Sequence, residues 1–266
     1  MQIETLPAFT DNYFWLLHDG QSAAVVDPGD AAVVEAALRA RRLQLRSILI
    51  THHHADHLGG VAALKSRHPA VSIGPDDPRI DADLVVDDGD RVVLAGLGVE
   101  AGVIAVPGHT RSHLAYRIED ALFCGDALFS LGCGRLFEGS AAQMQASLQR
   151  LAALPPDTRV YCAHEYTEAN LAFALAIEPD HVGLQDYGHV LRAWRAAGRP
   201  SLPSTIGRER ALNPFLRSEA PELHAALAAL GLPTHGAVDT FATLRRLKDR
   251  FHPGVDLRQL AVECGA

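Results

Sequence analysis

The stretch SILITHHHADH, residues 47–57, decides how the rest of the chain is read. An apolar, β-branched run ends abruptly in four histidines and an aspartate, the pattern of a strand that delivers a polar cluster to its own end. His52, His54, Asp56 and His57 occupy the fixed positions of HxHxDH. A chain with 14 histidines would produce those four positions by chance with a probability on the order of 10⁻³. Alternation along the segment turns His53 away from His52 and His54, so His53 is expected not to be a ligand.

Working outward, three more apolar runs end in the same chemistry. VIAV (103–106) runs into Pro107-Gly108-His109, LFC (122–124) into Gly125-Asp126, and VYC (160–162) into Ala163-His164. In layered α/β folds, sites gather where strand ends meet on a rigid scaffold. Four such ends bring five imidazoles and two carboxylates within reach of one place. Imidazole nitrogens and carboxylate oxygens suit zinc, iron or manganese, whereas calcium requires an all-oxygen shell. No thiolate belongs to the set, which argues against a closed structural zinc site. A carboxylate shared between two cations ~3.5–4 Å apart is the usual plan of a two-metal hydrolase. His18, His68, His181, His189, His224, His235 and His252 are read as lying in helices or loops without partners.

The wider pattern is that of a mixed α/β domain over residues 1–165, followed by a smaller helical one over 166–266. Strand candidates fall at 13–18, 22–27, 45–50, 91–94, 99–106, 112–118, 121–124 and 158–162; helical patterns fall at 31–42, 58–68 and 141–154. Beyond residue 165 the strand signal stops, and helices are expected at 165–178, 183–198, 220–230 and 237–251. An apolar fraction of 48% with 21% charged residues is ordinary for a globular chain. The net charge of −8 argues against a nucleic-acid surface, which needs clustered positive charge. No apolar run is long enough to span a bilayer, and the start carries no basic n-region, so a cytoplasmic location is expected. The four cysteines (Cys124, Cys133, Cys162, Cys264) form no CxxC pair and are expected to be buried thiols. With no uncovered apolar helix face in view, the expected state is a monomer.

THHHADH together with PGHT (107–110), GD (125–126) and AHEY (163–166) resembles the metallo-β-lactamase superfamily, which implies an αββα sandwich with a binuclear site at one edge. LPAFTDNYFWL (6–16), VVDPGD (25–30), LFCGDALFSLGCGRLFEG (122–139), CAHEYTEANLAFA (162–174), LPSTIGRERALNPFLR (202–217) and LRRLKDRF (244–251) are similar, more narrowly, to the hydroxyacylglutathione hydrolase (glyoxalase II) family. The resemblance covers essentially the whole chain. It implies that His52, His54 and His109 hold one metal, that Asp56, His57 and His164 hold the other, and that Asp126 bridges them. Two divalent metals are implied, zinc in the first place, with iron or manganese as alternatives. Arg135, Phe137, Tyr166, Arg245 and Lys248 match the glutathione contacts. Arg245 and Lys248 lie three apart on an expected helix and share a face that suits carboxylates.

The implied reaction is hydrolysis of a glutathione thioester, chiefly S-D-lactoylglutathione. Asp56 and Asp126 would act with a hydroxide bridging the two cations. Many relatives have Lys where Arg135 stands, Tyr where Phe137 stands and Gly where Ser112 stands; His113, beside that last change, reads as a support to the ligands. A persulfide dioxygenase of the same superfamily is the alternative. Serine or cysteine catalysis is disfavoured, because no GxSxG elbow accompanies Ser130, Ser140 or Cys162, and Cys133 has no paired base.

Overall fold

A computed structural model describes the backbone of residues 1–265 and the side chains of residues 1–263, so the thiol of Cys264 lies outside the described residues. The first half of the chain builds one sheet from β1 (Gln2–Ala8), β2 (Asn12–His18), β3 (Ser22–Val26), β4 (Gln44–Leu49), β5 (Val71–Gly74) and β6 (Leu84–Val85), in that spatial order. The first three strands are antiparallel; β3 to β6 run parallel, β3–β4 and β4–β5 through helical crossovers and β5–β6 through the loop 75–83. Those crossovers are α1 (Ala31–Arg41), then the short α2 (Ala55–Leu58) and α3 (Val61–Arg67). Asp30 caps α1 by accepting from the Ala32 N–H at 2.8 Å.

The second sheet takes β7 (Arg91–Val93), β8 (Glu100–Ala105), β9 (Leu114–Ile118) and β10 (Ala121–Gly125) as an antiparallel meander. A hairpin of β11 (Leu128–Phe129) and β12 (Gly132–Cys133) stands apart from both sheets. After α4 (Ala141–Ala152), begun by a Ser140/Gln143 capping box, β13 (Arg159–Cys162) joins β10 in parallel. Next come α5 (Thr167–Ile177) and α6 (Val182–Ala196), then β14 (Ser204–Thr205), which pairs antiparallel with β13. The strand signal therefore does not stop at residue 165. Two residues are too few to show a period in sequence, and the register with β13 is what makes them a strand. The chain ends in α7 (Ile206–Leu212), α8 (Pro221–Ala229), α9 (Ala237–Arg250) and α10 (Leu257–Gly265).

Alternation along the first sheet explains the sandwich. Trp15, Leu17, Val26 and Leu49 face the second sheet and share a core with Val103, Tyr116, Ile118 and Leu122. Their neighbours Phe14, Leu16, Val25 and Ile48 face the other way, onto Val34 and Leu38 of α1 and Val61 and Leu64 of α3. The central core continues through Met144 and Leu148 of α4 to Phe241, Leu244 and Leu247 of α9. Cys124, Cys133 and Cys162 are buried, unbridged thiols, as expected.

Candidate metal centre and groove

All four strand ends singled out in the sequence open on one edge of the sandwich. β4 delivers residues 51–57, β8 delivers His109, β10 delivers Asp126 and β13 delivers His164. His52 Nε2 and His109 Nε2 each lie 3.0 Å from His54 Nδ1. Beside them, His57 Nε2 lies 3.4 Å from Asp56 Oδ2 and 3.4 Å from Asp126 Oδ1, and His164 Nε2 lies 3.5 and 3.3 Å from the same two oxygens. Asp126 faces both groups, since its Oδ2 is 3.4 Å from His109 Nε2. Backbone meets backbone closely here: a Cβ at Gly134 would collide with the Asp126 carbonyl, and one at Gly29 with that of Asp56.

Residues that the sequence reading passed over, Asp27 and Asp11, set the direction of three of the rings. Thr51 Oγ1 spends its proton on Asp27 Oδ2 (2.7 Å) and so accepts from His52 Nδ1 (3.0 Å). His57 Nδ1 donates to Asp27 Oδ2 (3.1 Å), His164 Nδ1 to Asp11 Oδ1 (2.8 Å) and His109 Nδ1 to the Arg135 carbonyl (2.8 Å). Each of these four rings therefore turns Nε2 to the centre, the nitrogen a cation would take in place of a proton. Asn12 Nδ2 donates to Asp56 Oδ2 at 3.0 Å. His113 stacks on His52, ring centroids 4.6 Å apart, and accepts from the Asp126 N–H at 3.2 Å. Asp27, Asp11 and Asn12 stand in VVDPGD and TDNY, so the family stretches were their only sequence signal.

The donor set fits two cations. His57 Nε2 and Asp126 Oδ1 are buried and have no hydrogen-bond partner, an arrangement that costs free energy unless another group satisfies both. Burial, reinforced by neighbouring imidazoles, holds His52 well below its usual pKa and His54 down to about 4, so both rings are neutral at pH 7 and keep a lone pair that a cation could take. Burial opposes charge on His164 as well, yet Asp126, Asp56 and Asp11 outweigh it and lift that ring to about 10. Carboxylates that draw a proton this strongly draw a metal cation for the same reason.

His53 does not join the centre. Its Nδ1 is 3.8 Å from Asp77 and its Nε2 3.7 Å from Glu138, on the far side of the segment. The other histidines lie outside the centre, but the expectation that they lack partners fails. His18, in β2 and not in a helix or loop, pairs with Glu4 (2.8 Å); His68 pairs with Glu35 (3.0 Å), and His181 caps α6. Those contacts join residues far apart in sequence or depend on the helix start, and periodicity does not reveal either.

A groove of about 450 Å³ leads from His109 and Asp126 to α9 and is lined by Phe129, Arg135, Phe137, Tyr166, Arg245, Lys248 and Phe251. All five residues matched to glutathione contacts meet there. Tyr166 stacks on His164 (4.7 Å between centroids, 7° between planes), and Phe137 sets its edge against His54 and His109. Lys248 Nζ donates to the Ala169 carbonyl (3.2 Å), and burial with Arg245 and Arg135 nearby lowers its pKa to about 8. Arg245 is more enclosed than a free anion clamp. It is 5% exposed, donates to the Cys133 carbonyl (2.8 Å) and pairs with Asp249 (2.8 Å).

Comparison with known proteins agrees along the chain. Residues 9–80 and 72–164 match the model of the metallo-beta-lactamase superfamily, and residues 165–251 match that of the hydroxyacylglutathione hydrolase C-terminus. A hydroxyacylglutathione hydrolase from Cupriavidus taiwanensis is 48% identical over 264 residues, covering 94% of this chain and 99% of its own. Another, from Albidiferax ferrireducens, is 51% identical over 256 residues and covers 94% and 100%. Among solved structures, ETHE1 from Myxococcus xanthus is similar with a TM-score of 0.64 at 28% identity, covering 92% of this chain and 98% of that one.

Proposed function

Since the chain belongs to the hydroxyacylglutathione hydrolase family of the metallo-β-lactamase superfamily, we propose that it hydrolyses S-(2-hydroxyacyl)glutathione thioesters, S-D-lactoylglutathione above all, to glutathione and the free hydroxy acid. The observation that carries this reading is the groove, which joins a two-cluster metal centre to a basic end at Arg135 and Lys248. A thioester carbonyl fits at the first while glutathione carboxylates meet the second.

His52, His54 and His109 would hold one cation and Asp56, His57 and His164 the other, with Asp126 within reach of both. Zinc is the expected pair, and iron or manganese satisfies the same donors. Two divalent cations supply Lewis acidity there, making water nucleophilic at neutral pH and offsetting charge that develops on the carbonyl oxygen. Burial raises the Asp56 carboxyl, but His164, His57 and Asn12 outweigh it and hold it ionised, able to accept a hydrogen bond from the attacking water. Tyr166 and Phe137 wall the reacting end of the groove. Arg135 and Lys248 orient the glutathionyl part, and Arg245, behind them, fixes the Cys133 carbonyl and adds positive field. A thiolate leaves readily, its parent thiol having a pKa of about 8.5, so no strong general acid is required.

Purified protein mixed with S-D-lactoylglutathione should remove the thioester absorbance. A chelator should abolish the reaction, and added zinc, iron or manganese should restore it. Protein that binds two metals yet leaves the thioester intact, or that consumes oxygen with glutathione persulfide instead, would overturn the reading.

A further inference from the structure

A closed ring of polar side chains on the far side of the centre has no part in holding cations. Asp77, on the loop after β5, is buried and grips Arg79 from both carboxylate oxygens, Nε to Oδ1 and Nη2 to Oδ2, each at 2.7 Å. Arg79 Nη1 reaches across to Glu138 Oε1 at 2.7 Å. Glu138 Oε2 accepts from the Arg111 N–H at 2.9 Å, and Ser112 Oγ donates back to Asp77 Oδ2 at 2.6 Å. Three loops are thus tied together: the one after β5, the one carrying His109, and the segment 135–138. The Arg79 guanidinium, with Ser112, outweighs the burial of Asp77 and keeps its carboxyl ionised. The guanidinium of Arg79 and the Arg111 N–H hold Glu138 down to about 2.

Segment 135–138 does two jobs at once. Its Arg135 carbonyl orients His109, and its Arg135 and Phe137 side chains line the groove. Phe137 is 63% exposed, so packing alone does not fix it. Two backbone bonds, Phe137 N–H to the His109 carbonyl (3.2 Å) and Gly139 N–H to the Gly108 carbonyl (3.0 Å), act as a hinge along one side. From the other side the segment is tied by the Glu138 side chain and, at a longer 3.5 Å, by Arg111 Nε donating to the Glu138 carbonyl.

We propose that Arg79 and Glu138, anchored by Asp77 and Ser112, form a clamp that sets affinity for the glutathionyl moiety by fixing segment 135–138 against the His109 loop. The proposal rests on the function proposed above and deepens it. Arg79 and Glu138 are positioning residues, since neither lines the groove. Bidentate contact makes Arg79 hard to replace: lysine offers a point charge where the ring needs a planar fork. Ser112 adds a bond to Asp77 that a residue without a hydroxyl could not make.

The test compares Arg79→Ala, Glu138→Ala and the double variant with the parent protein. It reads kcat and KM for S-D-lactoylglutathione, Kd for S-methylglutathione, and metal content. Each single variant should raise KM and Kd about five- to tenfold, with kcat within about threefold and metal content unchanged. The double variant should be no worse than the worse single one, as expected of residues that act as a unit. Unchanged Kd, strictly additive losses, or a loss of activity that tracks a loss of metal would each overturn the clamp. A parent protein inactive on the thioester would overturn the proposed function instead, while the Kd comparison would still decide the clamp.

Discussion

At the scale of single residues, three neighbouring histidines differ because strand-like alternation points them apart. His54 Nδ1 meets two other imidazoles at 3.0 Å, whereas His53 lies between Asp77 and Glu138 on the opposite side. Removing His54 should strip metal from the protein, and Asp126→Ala should remove metal and abolish turnover. His53→Ala should retain two metals per chain and most of the activity. Elemental analysis of the three purified variants checks this, and equal metal loss at His53 and His54 would sink the assignment. Asp27 invites a second prediction. It orients His57 directly and His52 through Thr51, so Asp27→Ala should weaken metal binding by about 10–100-fold, read by competition with a chelator. Alternation made His53 legible in advance. Asp27 was not, because its role depends on where β3 ends relative to β4.

At the scale of elements, α9 places Lys248 one turn from Arg245 and faces both into the groove, as the i, i+3 spacing implied. The two do not share the task equally. Arg245 is committed to the Cys133 carbonyl and Asp249, so under the proposed function Lys248 and the more exposed Arg135, 3.8 Å from Asp249, are the groups that would meet an incoming anion. With its pKa lowered to about 8, Lys248 is charged below that pH and loses its proton above it. Binding of an anionic substrate should therefore weaken as pH rises from about 7 to 9, seen as a fall in kcat/KM. Lys248→Arg, which stays charged throughout, should move that fall to higher pH; an unchanged profile would remove Lys248 from the binding step. The long helices of the second half were legible from their periodicity. The two-residue strands β6, β11, β12 and β14 were not, since they exist only through their partners.

At the scale of the whole molecule, the helices after residue 165 complete the sandwich as well as covering the groove. Phe173, Phe215, Phe241, Leu244 and Leu247 belong to the same core as Met144, Leu148 and the second sheet, and β14 extends that sheet beside β13. A chain cut after residue 164 would expose this apolar surface, and burying a Leu or Phe side chain is worth about 1.5–3 kcal/mol each. Such a chain should aggregate or lose its cooperative unfolding transition, beyond any rise in KM. Circular dichroism melting of the truncated protein checks the point, and a stable, cooperatively folded fragment would contradict it. Among the described residues, no helix is long and apolar enough to cross a membrane.

What the sequence determined by itself was chemistry: which residue types stand at the ends of β4, β8, β10 and β13, and hence a centre of imidazoles and carboxylates. Local order sufficed for that, because strand alternation and the strand-to-loop transition are written within a few residues. Only the tertiary structure decided which nitrogen of each ring faces the centre, that Asp27, Asp11 and Asn12 stand behind its imidazoles and carboxylates, and that Arg79 reaches Glu138. Those facts join residues dozens to more than a hundred positions apart, and no local pattern encodes a hydrogen bond between loops that only the closed sandwich brings together.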